Sequence, residues 1–190
     1  MAINYKICPY CNSKDVVKIL YGYPSGDMIM SEATGKVKLG GCLINIEYSP
    51  DYHCNNCENQ WDKEEAIYYA YEKIKKIKVS IGGYHQGHES LSIDLKTGEM
   101  TYSHSINEED NLSISLYPDV LEDFKDKLIG TNILNWKRNY DDNEILDGTQ
   151  WEVELVRAKR NIKRSGSNHY PKEWEEFCKL ISEISGRDFR

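Results

Sequence analysis

Cys8-Pro9-Tyr10-Cys11 and Cys54-Asn55-Asn56-Cys57 decide how the first part of this chain folds. Each is a C-x2-C pair, and residues 12–53 lie between them. One tight turn aims both thiolates of a pair at the same ion, and two such turns supply the four sulfurs of a tetrahedral structural zinc site. A reducing cytoplasm disfavours the disulfide alternative. A redox C-x-x-C needs only one pair and a thioredoxin-like context, which is absent. The sequence therefore predicts Zn2+ held by Cys8, Cys11, Cys54 and Cys57. His53, beside Cys54, is the weaker candidate for a ligand because four cysteines already suffice.

Outward from these pairs, residues 3–61 read as β-rich. Residues 16–21 and 41–48 are strand candidates, and Gly22, Pro24, Gly26 and Gly35 mark a long excursion between them. That excursion widens the gap between the cysteine pairs beyond the usual ribbon spacing of about 15–20 residues. A helix is expected from Asp62, which caps the first turn with Glu65 as its reciprocal partner. Ala66, Ile67, Ala70, Ile74 and Ile77 follow at helical spacing. Lys73, Lys75, Lys76 and Lys78 then read as a solvated helix end complementing the macrodipole, in preference to a phosphate patch.

From residue 77 the pattern changes. Leu91, Ile93 and Leu95 alternate with polar residues, residues 96–99 turn, and residues 100–105 return as a hairpin. Ile114 and Leu116 point to a further short strand. Pro118 opens a helix with Val120, Leu121, Phe124, Leu128 and Ile129 on one face and Gly130 as its stop. Residues 151–156 alternate again, and Ile162 sits in another strand. Pro171 starts the last helix, with Trp174, Phe177, Cys178, Ile181 and Ile184 inward and Gly186 at its end. The expected class is α+β. A β-rich zinc ribbon with a trailing helix (1–76) precedes an antiparallel sheet packed with two helices (77–190).

With 39% hydrophobic and 29% charged residues among 190, the chain can build a core and is not a disordered polyelectrolyte. No apolar run approaches the ~20 residues of a membrane helix, and residues 1–6 lack the apolar core of an export signal. The expectation is a cytoplasmic protein with no membrane partner. A net charge of −7 argues against a general nucleic-acid coat. Most of the acidity belongs to residues 77–190, which have a formal charge of −6 against −1 for residues 1–76. Yet Arg157, Lys159, Arg160, Lys163 and Arg164 crowd together. They read as a solvated hairpin paired with acidic neighbours or, more sharply, as a docking patch for an acidic protein or a phosphate backbone. Alternation places Arg157 and Lys159 on one face. Acidic runs at residues 108–110 and 141–144 offer the opposite surface to a basic partner.

Two resemblances rest on particular residues. Cys8-Pro9-Tyr10-Cys11, then Tyr21-Gly22-Tyr23-Pro24, Leu39-Gly40-Gly41-Cys42 and Cys54-Asn55-Asn56-Cys57 with Trp61 resemble an uncharacterised bacterial zinc-ribbon family over residues 5–62. The resemblance implies a ribbon and its metal, and no reaction. Where that family often has glycine after each cysteine pair, this chain has Asn12 and Glu58. Asn tolerates left-handed backbone better than Glu, which predicts a different turn at the second pair. Asn135-Trp136, Tyr140, Asp147-Gly148-Thr149-Gln150-Trp151 and Gly166-Ser167-Asn168-His169-Tyr170-Pro171 are similar to an uncharacterised bacterial domain. That likeness implies a fold and carries no catalytic residue across.

Catalytic candidates are sparse. His85 and His88, beside Glu89 and within a glycine-rich segment, could bind a second metal or move protons, with His104 as a conceivable third member. The competing reading is a turn with exposed histidines. Asp147-Gly148 and Ser167-Asn168 read as turn and helix-capping residues rather than a ligand pocket. Trp136, Trp151 and Trp174 read as core, and Cys42 and Cys178 as small buried hydrophobes. No phosphate-binding loop, dinucleotide fingerprint, nucleophile elbow or H-E-x-x-H occurs. The reading that results is a non-enzymatic, zinc-binding protein-interaction module with a protein partner. The alternatives are a nucleic-acid-associated regulator acting through the ribbon and an enzyme centred on His85 and His88.

Overall fold

Eleven strands and four α-helices form two sheets in a computed structural model that describes residues 3–43, 49–83, 87–107, 109, 111–141 and 148–189. The chain divides into two compact units, Ile3–Ala70 and Tyr71–Arg190. The fold is α+β, with N-terminal strands followed by a sheet and its helices.

The first unit holds a four-stranded sheet in the order β2-β1-β3-β4, built from β1 (Val16–Leu20), β2 (Lys38–Leu39), β3 (Tyr52–Cys54) and β4 (Gln60–Trp61). β1 runs parallel to β2 and antiparallel to β3. The excursion is not featureless: it contains α1 (Gly26–Ala33), with Ser25 Oγ accepting the Met28 N–H at 3.4 Å. A Schellman ending closes it, since Lys36 N–H donates to Ser31 O and Gly35 N–H to Glu32 O. Residues 41–43 of the strand expected over 41–48 are not in a strand, though β2 ends just before them, and residues 44–48 lie outside the described ones. Gly40 sits against the Tyr21 ring and Ile19, where any Cβ would collide. Its N–H reaches Leu20 O, and Gly22 N–H reaches Gly41 O. The two glycine-bearing segments behind the first resemblance therefore pair with each other.

Asp62 and Glu65 form the expected capping box. Glu65 N–H donates to Asp62 Oδ1 at 2.8 Å and Asp62 N–H to Glu65 Oε2 at 3.3 Å. The helix they open, α2 (Lys63–Glu72), is shorter than its apolar stripe predicts. Ile74 and Ile77 belong to β5 (Ile74–Gly83) and share its buried face through an irregularity opposite Val156 and Arg157. That bulge gives a strand the three-residue spacing of a helix. Lys75, Lys76 and Lys78 are consequently strand residues and not a helix end.

The second sheet has seven strands in the order β8-β7-β6-β5-β10-β11-β9. Besides β5 they are β6 (Gly87–Asp94), β7 (Glu99–His104), β8 (Leu112–Ser115), β9 (Asn139–Asp141), β10 (Gln150–Arg157) and β11 (Ile162–Ser167). All pairs are antiparallel except β9 with β11, an edge pair that the sequence reading did not anticipate. Ile77, Val79, Ile81, Leu91, Ile93, Met100, Val153 and Leu155 are buried, while the alternate positions are polar. α3 (Pro118–Gly130) buries Leu121, Phe124 and Leu128 and leaves Val120 exposed. α4 (Trp174–Ser185) buries Trp174, Phe177, Cys178, Leu180 and Ile181, and Gly186 in left-handed conformation ends it.

Trp136, Trp151 and Trp174 are core, with the last two 4.5 Å apart between centroids. Trp151 Nε1–H donates to His169 O at 2.9 Å, an approach that Gly166 makes possible because a Cβ there would strike both groups. Asn168 does not cap α4. It adopts left-handed backbone, and its Oδ1 accepts the Thr149 N–H at 2.9 Å, clamping β11 to the start of β10. In the second resemblance, Asp147 lies outside the described residues; residues 148–151 and 166–169 are accounted for by packing and turns.

Candidate metal centre

Two matching turns build the site. In the first, Asn12 N–H donates to Cys8 O at 3.0 Å and Cys8 N–H to Ser13 O at 2.9 Å. In the second, Glu58 N–H donates to Cys54 O at 2.8 Å and Cys54 N–H to Asn59 O at 3.0 Å. Asn12 and Glu58 have φ of 59° and 60°. The expected difference between the turns is therefore absent: Glu58 takes the left-handed conformation despite its cost, because the hydrogen-bond pattern demands it.

Pairing of Val16 with Cys54 sets the two turns side by side. Asn55 locks them, donating its N–H to Asp15 O at 3.0 Å and its Nδ2–H to Asp15 Oδ1 at 2.9 Å. Cys8 and Cys57 Sγ then lie 3.6 Å apart, as do Cys11 and Cys54 Sγ. All four sulfurs fall within 4.8 Å of one another. A tetrahedron with metal–sulfur bonds of about 2.3 Å has edges of about 3.8 Å, so the cluster is of the right size to hold a metal ion. The separations far exceed the ~2.05 Å of a disulfide, and all six cysteines are unbridged.

The surroundings push the sulfurs in opposite directions. Asn59 Nδ2–H donates to Cys57 Sγ at 3.3 Å, and Asn56 Nδ2–H lies 3.7 Å from Cys11 Sγ. The Asn59 side-chain and backbone donors hold the Cys57 thiol down to about 6. Burial pushes Cys8 up to about 12, against the pull of the Cys11 and Tyr10 N–H groups. A buried, anion-averse Cys8 beside the stabilised Cys57 thiolate is where a cation relieves the conflict. Asn55, Asn56 and Asn59 escaped the sequence reading, although the run C-N-N-C-E-N, dense in amide side chains, carries the signal.

His53 sits on β3 opposite Val17 and is not among the clustered ligands. Of the histidine candidates, the described residues place His88 and His104 apart. β6 alternation puts His88 on the face opposite Glu89, whereas His104 pairs with Glu89. His104 Nδ1 accepts the N–H groups of Ile106 and Asn107 at 3.2 and 3.1 Å, so that nitrogen serves a turn. His85 lies outside the described residues. Cys42 is exposed, contrary to expectation, and Cys178 is buried in α4. Among the described residues no other group of His, Cys, Asp and Glu could hold a metal, and no helix is long and apolar enough to cross a membrane.

No protein-family model and no curated protein matches this chain.

Proposed function

We propose that the chain is a cytoplasmic, non-enzymatic binding protein whose first unit is a ribbon folded around one structural Zn2+. The convergence of four cysteine sulfurs within 4.8 Å carries this reading. Four soft thiolates at tetrahedral separations suit zinc or an iron–sulfur centre, and zinc needs no further sulfide. Six unbridged cysteines suit a reducing compartment. A four-thiolate zinc has no open coordination position, so its contribution is to folding rather than to a reaction.

A protein partner is supported by the excursion between the two cysteine turns. α1 buries none of its residues, and Tyr23, Ile29, Met30 and Leu43 are all more than half exposed. Apolar exposure concentrated in one insertion marks interaction surfaces. Metal analysis of the purified chain tests the central claim. One zinc per chain is expected, with Cys57→Ser losing both the metal and the thermal transition of the first unit. An iron signal, or a metal-free protein with an unchanged melt in the variant, would overturn it.

A further inference from the structure

Topology sorts the charges of the second unit. β5, β7, β9 and β11 start at one end of the sheet, and β6, β8 and β10 finish there. Lys75 lies at that end in the bulged start of β5, and Lys96 in the turn from β6 to β7. Arg157 closes β10, with Lys159 and Arg160 in the turn that follows. Lys137 and Arg138 lead into β9, and Arg138 O accepts the Ser165 N–H at 3.1 Å.

The cations further along the sheet are satisfied: Lys78 pairs with Glu154 at 3.3 Å and Lys163 with Glu152 at 3.3 Å. Lys76 is 4.0 Å from Asp94. By contrast, Lys75, Arg157, Lys159 and Arg160 form no ion pair among the described residues, nor do Lys96, Lys137 and Arg138. Arg157 is half-buried, and burial alone lowers the pKa of its guanidinium, with no carboxylate opposing it. A desolvated cation without a counter-charge is costly, and a bound anion offsets that cost.

Tyr117 adds a second, independent feature. It is 76% exposed and follows Leu116, whose N–H donates to Gly98 O at 2.9 Å beside the turn that carries Lys96. Six inter-strand spacings of about 4.8 Å make this end about 29 Å wide. Dispersed cations along this end, with an exposed ring at its β8 edge, lack the apolar centre of a protein–protein interface. They match a surface on which phosphates are neutralised and a base stacks.

We infer that this end of the seven-stranded sheet binds single-stranded nucleic acid, with Arg157, Lys159 and Arg160 holding phosphates and Tyr117 stacking on a base. The inference goes beyond the zinc reading and is independent of it, since its test leaves all four cysteines in place. It places nucleic-acid contact away from the ribbon and narrows the phosphate-patch reading of residues 157–164 to Arg157, Lys159 and Arg160.

The experiment uses the full chain and fluorescent RNA and DNA oligomers of about 12 nucleotides, inside the usual site range of about 4–16. Anisotropy is read between about 50 and 200 mM salt. The intact protein is expected to bind at least one oligomer with a negative slope of log K against log salt. Arg157→Gln, Lys159→Gln and Arg160→Gln together should weaken binding at least about tenfold and flatten that slope by about 2, from ~0.7 per phosphate contact. Tyr117→Ala should weaken binding about tenfold with the slope unchanged. Lys172→Gln with Lys179→Gln, elsewhere on the unit, should change neither. If the triple variant melts early, Lys159→Gln alone replaces it, with a slope change near 0.7. A preference for RNA or for DNA identifies the strand type. The inference fails if neither oligomer binds at low salt, if the basic variants bind unchanged, or if poly-glutamate competes as well as the oligomers do.

Discussion

The two units solve the same problem with different means. Among the described residues, the first unit gathers a small core cluster of Cys8, Tyr52, Cys54, Trp61 and Ala66, two of which are thiols of the candidate metal centre, with Ile3, Ile19 and Ala70 also buried. The second buries Ile77, Leu91, Ile93, Met100, Leu155 and Phe177 almost completely, and closes its far side with three tryptophans in mutual contact. At about 1.5–3 kcal/mol for each large apolar side chain buried, the second unit has what it needs to offset chain entropy. The first has far less, and under the proposed function a bound cation makes up the difference. On that reading, stability comes from metal ligation in one region and from apolar area in the other.

The largest way to break that contrast is to take the metal away. Chelation, or Cys8→Ser, should unfold the first unit outright, because structural zinc contributes on the order of 10 kcal/mol to small ribbons. Hydrogen exchange read residue by residue is expected to show protection lost over β1 and β3 and kept over β5 and β10. Acid should act in the same direction, since protons compete with the metal for all four thiolates. Loss of protection in both units at once would show that the second depends on the first. The converse experiment is Phe177→Ala, whose ring contacts Trp136 at 5.4 Å. A cost of about 3–5 kcal/mol is expected for the second unit alone, with bound metal unchanged by atomic absorption.

A smaller effect sharpens the comparison through pH. The Thr97 and Lys96 N–H groups hold the Asp94 carboxyl below its ordinary value of 3.8, with a lesser contribution from Lys76. A carboxyl whose folded pKa lies below its unfolded one stabilises the fold above the unfolded value, and that stability is lost as pH falls through the folded one. Asp94→Ala should therefore cost about 1 kcal/mol near neutrality. The variant and the parent should converge below about pH 3. Denaturant titrations of both at several pH values would measure this, and a pH-independent gap would refute it.

Legibility in the sequence followed local chemistry. The four metal-site cysteines, the Asp62–Glu65 capping box and the β6–β7 hairpin were readable because each depends on residues close together or on a fixed spacing. Where long-range pairing decided, the reading failed. The bulge opposite Val156 and Arg157 gave Ile74 and Ile77 a helical spacing inside a strand. α1 was hidden because its apolar residues face outward, so no buried stripe announced it. The separation of His88 from His104 depended on strand register, which a shift of one residue would invert. Likewise, sequence showed the cations of residues 157–164 as one cluster. The fold splits them: Lys163 turns to Glu152, and Arg164 donates to Leu134 O at 3.1 Å, whereas Arg157, Lys159 and Arg160 have no acidic partner among the described residues.

The smallest effect concerns the two cysteine turns, which are alike in backbone and unlike in sequence. Asn12 and Glu58 occupy the same left-handed position, at φ 59° and 60°. Asn enters that region at little cost because its short amide bonds locally, whereas Glu pays the steric penalty of its Cβ, about 1–2 kcal/mol at most. Glu58→Asn should therefore stabilise the first unit by about 0.5–1 kcal/mol, and Asn12→Glu should destabilise it by a similar amount. Because both residues lie outside the ligand set, metal stoichiometry should not move. Chelator competition is the sensitive readout, since any gain in the folded apo-turn appears as slower metal loss. Equal effects of both substitutions, in sign as well as size, would show that the turns are not equivalent and that Glu58 contributes something beyond its backbone.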